Sequence, residues 1–410
     1  MLKTITKVIT LFITNVLFLI TITGGLMPSV AHCKNISKQS SSITWSKTGS
    51  MHDERTGHTT TLLKNGLVLV AGGMLSSAVE KDDQFHFIPC TTCELYNPAT
   101  GTWSETGSIH DKRLDHTATL LKNGLVLVAG GMCIESNKCF IPCTTCELYN
   151  PATGTWSQTG SIHGMSVYGF TTLLKNGSVL IFVASGNGKT ISCELYNPIT
   201  GTWSQTGSIH DKRSSPTATI LKNGLVLVAG GMCIGDSSKY TIPCTTCELY
   251  NPATGTWSQT GSIHDKRSNH NATLLKNGLV LVAGGMCIDD NKIKDHSQPS
   301  KDCVTFATTC ELYNPSTGTW SKTGSTHNKC LGHTATLLKN GSVLIFVTSS
   351  DNKITTCELY NPSTGTWSKM TAPIISESSS ISPETCIALT DDLILITGGA
   401  LDPQLGRVRR

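Results

Sequence analysis

Seven tryptophans spaced 47 to 63 residues apart predict an all-β fold, a seven-bladed β-propeller of four-stranded blades. Two recurring hairpins support this fold. The first is "HTATLLKNGLVLVAGG" (116–131), in which Asn-Gly joins two strand-like runs, and the second is "TCELYNPATGTWS" (145–157). Asn-Gly tolerates the positive φ of a tight hairpin turn, and repeated units of four antiparallel strands are typical of propellers.

The blades are numbered by their tryptophans. Blades 1 to 6 contain, in chain order, Trp103, Trp156, Trp203, Trp257, Trp320 and Trp367. Blade 7 is predicted to join the last strand pair, 385–400, to the strand of Trp45, with 405–410 as a weak third strand. Such a composite blade closes a ring without leaving open sheet edges.

The composition is that of a globular chain with many turns. Among 410 residues, 38% are hydrophobic, only 15% are charged and 38 are glycine. The formal net charge is +4, and no stripe of Lys and Arg alternates with aromatic residues. Nucleic acid is therefore not an expected partner.

The N-terminus has the pattern of an export signal. Lys3 and Lys7 precede an apolar run at 8–27, and "SVA" (29–31) places small residues where a signal peptidase reads. We expect a signal peptide at 1–31, a short linker at 32–42 and the propeller at 43–410 of a secreted, periplasmic or cell-envelope protein. Lipidation of Cys33 and an uncleaved membrane anchor are the alternatives, and they are the only membrane attachment that the sequence suggests.

The order of double glycine, Tyr and Trp in each repeat resembles the bacterial type of kelch repeat. The chain is similar over 43–410 to the central propeller of galactose oxidase-like proteins. Blades 3 and 6 depart from the pattern, because "FVASGNG" (182–188) and "FVTSSDN" (346–352) lack the double glycine. Both of these blades also have short loops.

The sequence variation lies on one face of the predicted disc. The 1–2 and 3–4 turns are nearly invariant, whereas the 2–3 loops and the 4–1 loops differ among the blades. Because loops on a rigid scaffold commonly bind partners, we expect this loop face to carry the binding site. The alternative is that the repeated "HDKR" is a solvated turn or a capping network. The candidate binding residues are Asp111, Lys112, Arg113, Asp211, Lys212, Arg213, Asp265, Lys266 and Arg267.

No catalytic residue, cofactor or metal site is predicted. The resemblance to galactose oxidase implies a copper site with two tyrosines, but only Tyr168 and Tyr240 lie outside the repeated Tyr position. His58, His116 and His333, in "HTxT", are expected to be structural. A ring of metal-binding histidines is disfavoured because the expected residues at this position in other blades are Phe170, Pro216 and Asn271.

The expected function is therefore that of a monomeric scaffold that binds a protein or a glycan. The alternative is a carbohydrate-active enzyme, similar to sialic-acid epimerases or oxidases of this fold, with its site at the pore mouth. A structural or adhesive role in the envelope is a third possibility.

The 17 cysteines fall mainly into two classes. One cysteine precedes "ELYN" in six blades and is interpreted as a small core residue. Others flank the 2–3 loops and co-occur in blades 2, 4 and 5, which suggests a disulfide in each. Cys90 of blade 1 lacks such a partner, and Cys139 is a candidate to pair with it. The predicted pairs are Cys133–Cys143, Cys233–Cys244 and Cys287–Cys303.

Overall fold

In its described residues the structure, a computed structural model, consists mainly of β-strands, turns and loops. Its described residues are 17–18, 29–34, 44–53, 55–78, 85–134, 140–164, 170–184, 191–234, 241–288, 303–329, 335–348, 354–370, 385–390 and 393–397. Within these ranges no helix has the length and hydropathy needed to cross a membrane.

The chain divides into two compact units. The first contains residues 1–159, 348–357 and 370–410, and the second contains 160–347 and 358–369. The strands are β1 (Leu17–Phe18), β2 (Ser29–Lys34), β3 (Thr44–Thr48), β4 (Arg55–Thr56), β5 (Thr59–Leu62), β6 (Val68–Ala71), β7 (Met74–Ala78), β8 (Phe85–Pro89), β9 (Cys93–Asn97), β10 (Thr102–Thr106), β11 (Arg113–Leu114), β12 (Thr117–Leu120), β13 (Val126–Ala129), β14 (Met132–Ile134), β15 (Phe140–Pro142), β16 (Cys146–Asn150), β17 (Thr155–Thr159), β18 (Thr171–Leu173), β19 (Val179–Ala184), β20 (Ile191–Asn197), β21 (Thr202–Thr206), β22 (Arg213–Ser214), β23 (Thr217–Ile220), β24 (Val226–Ala229), β25 (Met232–Ile234), β26 (Thr241–Pro243), β27 (Cys247–Asn251), β28 (Thr256–Thr260), β29 (Asn271–Leu274), β30 (Val280–Ala283), β31 (Met286–Ile288), β32 (Val304–Phe306), β33 (Cys310–Asn314), β34 (Thr319–Thr323), β35 (Ala335–Leu337), β36 (Val343–Thr348), β37 (Ile354–Asn361), β38 (Thr366–Met370), β39 (Thr385–Thr390) and β40 (Leu393–Thr397).

Each of blades 1 to 6 forms a four-stranded antiparallel sheet, as the repeats predict. The strand orders are β5-β6-β9-β10, β12-β13-β16-β17, β18-β19-β20-β21, β23-β24-β27-β28, β29-β30-β33-β34 and β35-β36-β37-β38. The second strand, such as Val126–Ala129, is buried along its whole length. The sequence of this strand is therefore a continuous apolar run, because neighbouring elements cover both faces of the sheet. Tyr149 pairs with Trp156 in the register of the outer hairpin, and both are buried.

Successive blades are joined by contacts that explain the repeated "TGTWSxTG". At the end of blade 1, Thr106 Oγ1 and Tyr149 Oη of blade 2 are 2.7 Å apart. The Gly107 amide donates to the Gly154 carbonyl at 2.9 Å, and the Trp156 indole donates to the Gly107 carbonyl at 2.7 Å. A Cβ on Gly107 would lie 2.3 Å from the Gly154 oxygen, so only glycine fits. Blades 4 and 5 of the second unit repeat this joint, through Thr260 and Tyr313.

The last sheet brings N-terminal and C-terminal strands together. Strand β40 pairs with β39 on one side and with β2 on the other, and β2 pairs in turn with β3, the strand of Trp45. Residues 29–34 thus supply the third strand, whereas 405–410, which were predicted to do so, lie outside the described residues. This third strand includes the "SVA" stretch of the expected cleavage site. Processing at this site and closure of a seven-bladed ring stay predictions.

The long 2–3 loops contain small sheets that the sequence did not predict. In blade 2, β14 and β15 form a hairpin, and β11 from the "HDKR" loop joins it as a third strand. The same arrangement occurs in blade 1 (β4-β7-β8) and in blade 4 (β22-β25-β26), and blade 5 has the hairpin β31-β32. We call these elements flaps 1, 2, 4 and 5, after their blades.

Candidate functional site

The loop face is organised around one buried glutamate in each of blades 1 to 6. In blade 2, Glu147 of β16 accepts the His110 amide at 2.8 Å and the Asp111 amide at 3.3 Å. His110 Nδ1 lies 2.5 Å from Glu147 Oε2. Because a carboxylate only accepts, Nδ1 carries the shared proton, and the half-exposed ring keeps Nε2 on the surface. The histidine–glutamate pairs are His52–Glu94, His110–Glu147, His163–Glu194, His210–Glu248, His264–Glu311 and His327–Glu358.

In the blades with flaps, an arginine joins this glutamate. Arg113 is fully buried, and its guanidinium donates to Glu147 at 3.2 Å and to Asp111 at 3.2 Å. It also donates to the Gly130 carbonyl at 3.3 Å and to the Thr145 carbonyl at 2.9 Å, at the two ends of the flap. The arginine therefore ties the flap to the third strand of its blade. Arg55, Arg213 and Arg267 have the same set of contacts.

The nine candidate binding residues differ in burial according to residue type. The three arginines are buried and take the capping role that was the alternative interpretation, so they do not form a contact surface. The three aspartates are partly exposed and bond these arginines, at 3.1 Å in the case of Asp211 and Arg213. Lys112 and Lys212 are exposed, and Lys266 is partly exposed. The prediction of a binding loop face thus depends on the candidate lysines and on the histidines of the same loops. These histidines were not among the candidates.

The histidines that precede the first strand are buried. His116 Nε2 lies 2.9 Å from Thr59 Oγ1, and His270 Nε2 lies 3.0 Å from Thr217 Oγ1, each bridging to the preceding blade. Burial, with a smaller effect of the neighbouring arginine, lowers the pKa of each histidine to about 3. Blade 5 therefore has His270 at this position, and its assignment to Asn271 was wrong by one residue. His333 lies outside the described residues.

Two flaps are closed by disulfides. Cys133 is bonded to Cys143 and Cys233 to Cys244, which are two of the three predicted pairs. The bonds join the first strand of the flap hairpin to the residue after the second, so each closes the base of its flap.

The third predicted pair, Cys287–Cys303, is not bonded in the structure, where the residues of flap 5 are shifted in alignment. In blades 2 and 4, the amides of Cys143 and Cys244 donate to the second glycine of the double glycine, whereas in blade 5 the Ala307 amide does so. Cys303 lies four residues earlier, before β32, and Cys287 carries a free thiol. The position that would close flap 5 therefore has no sulfur.

The cysteines before "ELYN" lie in the core. Cys93 packs with Leu69, Val126 and Tyr149 between blades 1 and 2, and burial raises the pKa of its thiol to about 11. Cys90 has different surroundings, since Arg55 approaches its sulfur at 3.7 Å. Cys90 and Cys93, which are three residues apart, therefore have separate surroundings. The suggested partner of Cys90, Cys139, lies outside the described residues.

The second unit has a cavity of 460 Å³ on its loop face, next to flap 5. His264, Asp265 and Lys266 of the "HDKR" loop supply its polar lining, and Ile288 and Phe306 of the flap supply an apolar lining. The remaining lining residues are Thr245, Cys287, Thr305, Ala307, Thr308 and Thr309. The size and the mixture of groups suit a small ligand or the side chain of a larger partner.

The described residues do not fit the copper site of an oxidase. The repeated tyrosines are buried, and the hydroxyl of Tyr250, for example, lies 2.6 Å from Thr206 Oγ1 in the joint between blades. Tyr168 and Tyr240 lie outside the described ranges. Within those ranges, no three His, Cys, Asp or Glu side chains are grouped so as to hold a metal ion.

Comparisons with known proteins identify the fold. No protein-family model and no curated protein matches the chain. Among solved structures, that of YjhT is similar with a TM-score of 0.56 and 13% identity, over 77% of this chain and 97% of that chain. A copper-containing fungal alcohol oxidase of the AA5 family has a TM-score of 0.55 and 17% identity, over 75% of this chain and 61% of that chain. Its antiparallel four-stranded sheets and these neighbours show that the chain is an all-β protein with a β-propeller fold of the kelch and galactose oxidase type.

Proposed function

We propose that the protein is an exported scaffold that binds a glycan or protein partner through its loop face, with the cavity beside flap 5 as the principal contact. The observation that carries this proposal is the composition of the cavity, which polar residues of the "HDKR" loop and apolar residues of flap 5 line together. The 1–2 and 3–4 turns of the opposite face are instead nearly invariant in sequence among blades 1 to 6.

The buried networks support a binding role because they make the loop face rigid. Glu311 fixes the His264 amide at 2.9 Å and the ring at 2.5 Å, and Arg267 fixes the same carboxylate at 3.2 Å. A surface that is held in place before binding loses little conformational entropy when a partner binds. Lys266 can then donate to carbonyl, carboxylate or hydroxyl oxygens and His264 Nε2 can accept from a hydroxyl group, while Phe306 packs on an apolar face of the ligand.

The test is a glycan screen together with affinity capture on the full chain. The Lys266→Ala and His264→Ala variants should weaken binding of any captured partner by about tenfold, the loss expected for one well-placed contact. The matched controls are Lys212→Ala on blade 4 and His163→Ala on blade 3, which lie in equivalent loops of the same unit and do not line this cavity. If the variants and the controls lose affinity equally, binding depends on the general charge of the face. If none of them loses affinity, the partner does not bind at this cavity.

A carbohydrate-active enzyme is the second candidate, and the orientation of His264 favours it. Glu311 holds Nδ1, so Nε2 is left at the cavity as an acceptor for a sugar hydroxyl proton. Epimerisation, ring-opening and oxidation of sugars, followed by NMR and by peroxide release, distinguish this role from binding. Conversion of a sugar that is lost in His264→Ala would support an enzyme. A ligand that stays bound for hours without chemical change would support the scaffold.

A further inference from the structure

The turn face, opposite to the loop face, has a lysine at one repeated position. Each "LKNG" turn between the first and second strands of blades 1 to 6 supplies it, and all six lysines are exposed. They are Lys64, Lys122, Lys175, Lys222, Lys276 and Lys339.

These lysines lie flat and are held in place. Lys222 lies over the turn of the next blade, since a Cβ on Gly278 would contact its Cδ at 3.4 Å. Its ammonium donates to the carbonyl oxygen of Lys276, and Lys276 in turn donates to the carbonyl oxygen of Lys339. Lys175 makes the same bond to Lys222, so the second unit contains four linked lysines, the lysine row. In the first unit, Lys64 and Lys122 are linked in the same way.

The lysine row concentrates positive charge, and the turns of blades 3 to 6, to which it belongs, contain no acidic residue. The 1–2 turns read "LKNG" and the 3–4 turns read "NPATGT", "NPITGT" or "NPSTGT". The acidic residues of blades 4 and 5 that bond arginine or histidine, such as Glu248 and Glu311, belong to the loop-face network instead. One ammonium donates three hydrogen bonds, so Lys222 and Lys276 can bind an anion while they keep their carbonyl partners.

A purely structural role does not require the charge. The link between turns needs a side chain that reaches a carbonyl, and a neutral donor would avoid the repulsion among neighbouring ammonium groups. The arrangement in single file, with the stems lying along the face, forms a shallow strip of charge. Such a strip fits a linear chain with repeated negative groups. It fits a lipid headgroup layer less well, because lysines that bind headgroups project from the surface and these lie flat.

We propose that the lysine row binds a linear anionic polysaccharide, whose carboxylate or sulfate groups meet successive ammonium groups. This site is separate from the cavity on the loop face and does not depend on the function proposed for that cavity. Binding of this kind is electrostatic, so it weakens as salt rises and the charges are screened.

The test compares the full chain with charge variants on a heparin resin and in solution with heparin, polygalacturonate and phosphatidylserine vesicles. We expect the wild type to bind one or both polysaccharides at low salt, and Lys222→Gln/Lys276→Gln to bind about tenfold more weakly and elute at lower salt. Lys222→Arg/Lys276→Arg keeps the charge and should bind like the wild type.

The matched control is Lys322→Gln/Lys369→Gln, which removes the same charge from exposed positions of the fourth strands. It should retain wild-type affinity, and thermal unfolding shows that every variant compared is folded. Equal losses in the control and in Lys222→Gln/Lys276→Gln would overturn the proposal. Failure of the wild type to bind either polysaccharide, or binding to the vesicles alone, would also overturn it.

Discussion

Blades 3 and 4 lie side by side in the sequence but differ in how strand 2 continues into strand 3. In blade 4, Gly230 and Gly231 both have positive φ, and the chain leaves the sheet to form flap 4. In blade 3, where there is no double glycine, β19 and β20 pair from Val179 to Ala184 and continue as a longer ladder. The double glycine therefore ends the sheet and starts a flap.

The same two blades differ in the partners of the buried glutamate. Glu194 of blade 3 accepts from His163 and from the Gly164 amide, and no arginine takes part in the contacts described there. Glu248 of blade 4 accepts from His210 and also from Arg213, which reaches the base of the flap. The histidine–glutamate pair thus anchors the 4–1 loop in both types of blade, whereas arginine, double glycine and flap occur as a set.

The largest expected effect follows from removing the arginine of that set. Arg213→Met leaves Glu248 buried without its ionic partner, and breaking such a pair costs about 3–5 kcal/mol. We expect a correspondingly lower urea midpoint of unfolding and faster proteolysis within flap 4. Lys212→Met, at the exposed neighbour, should change stability by less than about 0.5 kcal/mol. A similar small change for Arg213→Met would contradict the proposed link between arginine and flap.

Substitution of the double glycine should have the next largest effect. A Cβ on Gly231 would lie 2.7 Å from the Ser214 carbonyl oxygen, at a φ of +102° that alanine rarely adopts. Gly231→Ala should therefore destabilise the protein by about 2–3 kcal/mol. Ala184→Gly in blade 3 is the reciprocal change and should cost about 0.5–1 kcal/mol through backbone entropy alone. Equal effects in thermal unfolding would mean that the glycine is not needed for the turn.

The two flaps of the second unit offer a comparison between a closed and an open base. Ala307→Cys places a thiol at the position that Cys244 has in flap 4, opposite Cys287. We expect a new disulfide that stabilises the oxidised protein by about 2–3 kcal/mol in the chain-entropy model. Peptide mapping without reductant should find Cys287 alkylated in the wild type and bonded in the variant. An alkylated Cys287 in the variant would contradict the alignment of the two flaps.

The repeats predicted the sheets because each strand obeys local rules. Only residues close in sequence are needed to form the "VLVA" strand, the Asn-Gly turn and the Tyr–Trp pair. The periodicity of these elements was therefore sufficient to predict the sheets. The flaps depend on a pairing between β11 and β14, about 20 residues apart, with strands of two and three residues that carry no alternation signal. The sequence therefore showed variable loops where the structure has small sheets.

The candidate site was predicted only in part, for a related reason. "HDKR" was recognised as a unit, but the burial of its arginine could not be inferred from residue type. The arginine is buried because it pairs with a glutamate more than 30 residues away in the chain. The glutamate in every "CELYN" was the missed signal. A charged residue in the middle of an otherwise buried strand needs a partner, and the histidine and arginine of the preceding loop were the repeated residues able to supply one.

The effect that is smallest at neutral pH comes from a buried histidine, and it compares the first strands of blades 4 and 5. Blade 5 has buried His270, whose pKa of about 3 lies below that of an exposed histidine because of burial and of Arg267, whereas blade 4 has Pro216. The unfolded chain binds this proton first as pH falls, so the stabilising contribution is complete above pH 6.5 and is lost progressively toward pH 3. His270→Gln should make the melting temperature less dependent on pH within that window. Because His58 and His116 also have lowered pKa values, part of the dependence should remain. An unchanged slope in the variant would show that the pKa of His270 is the same in the folded and the unfolded chain.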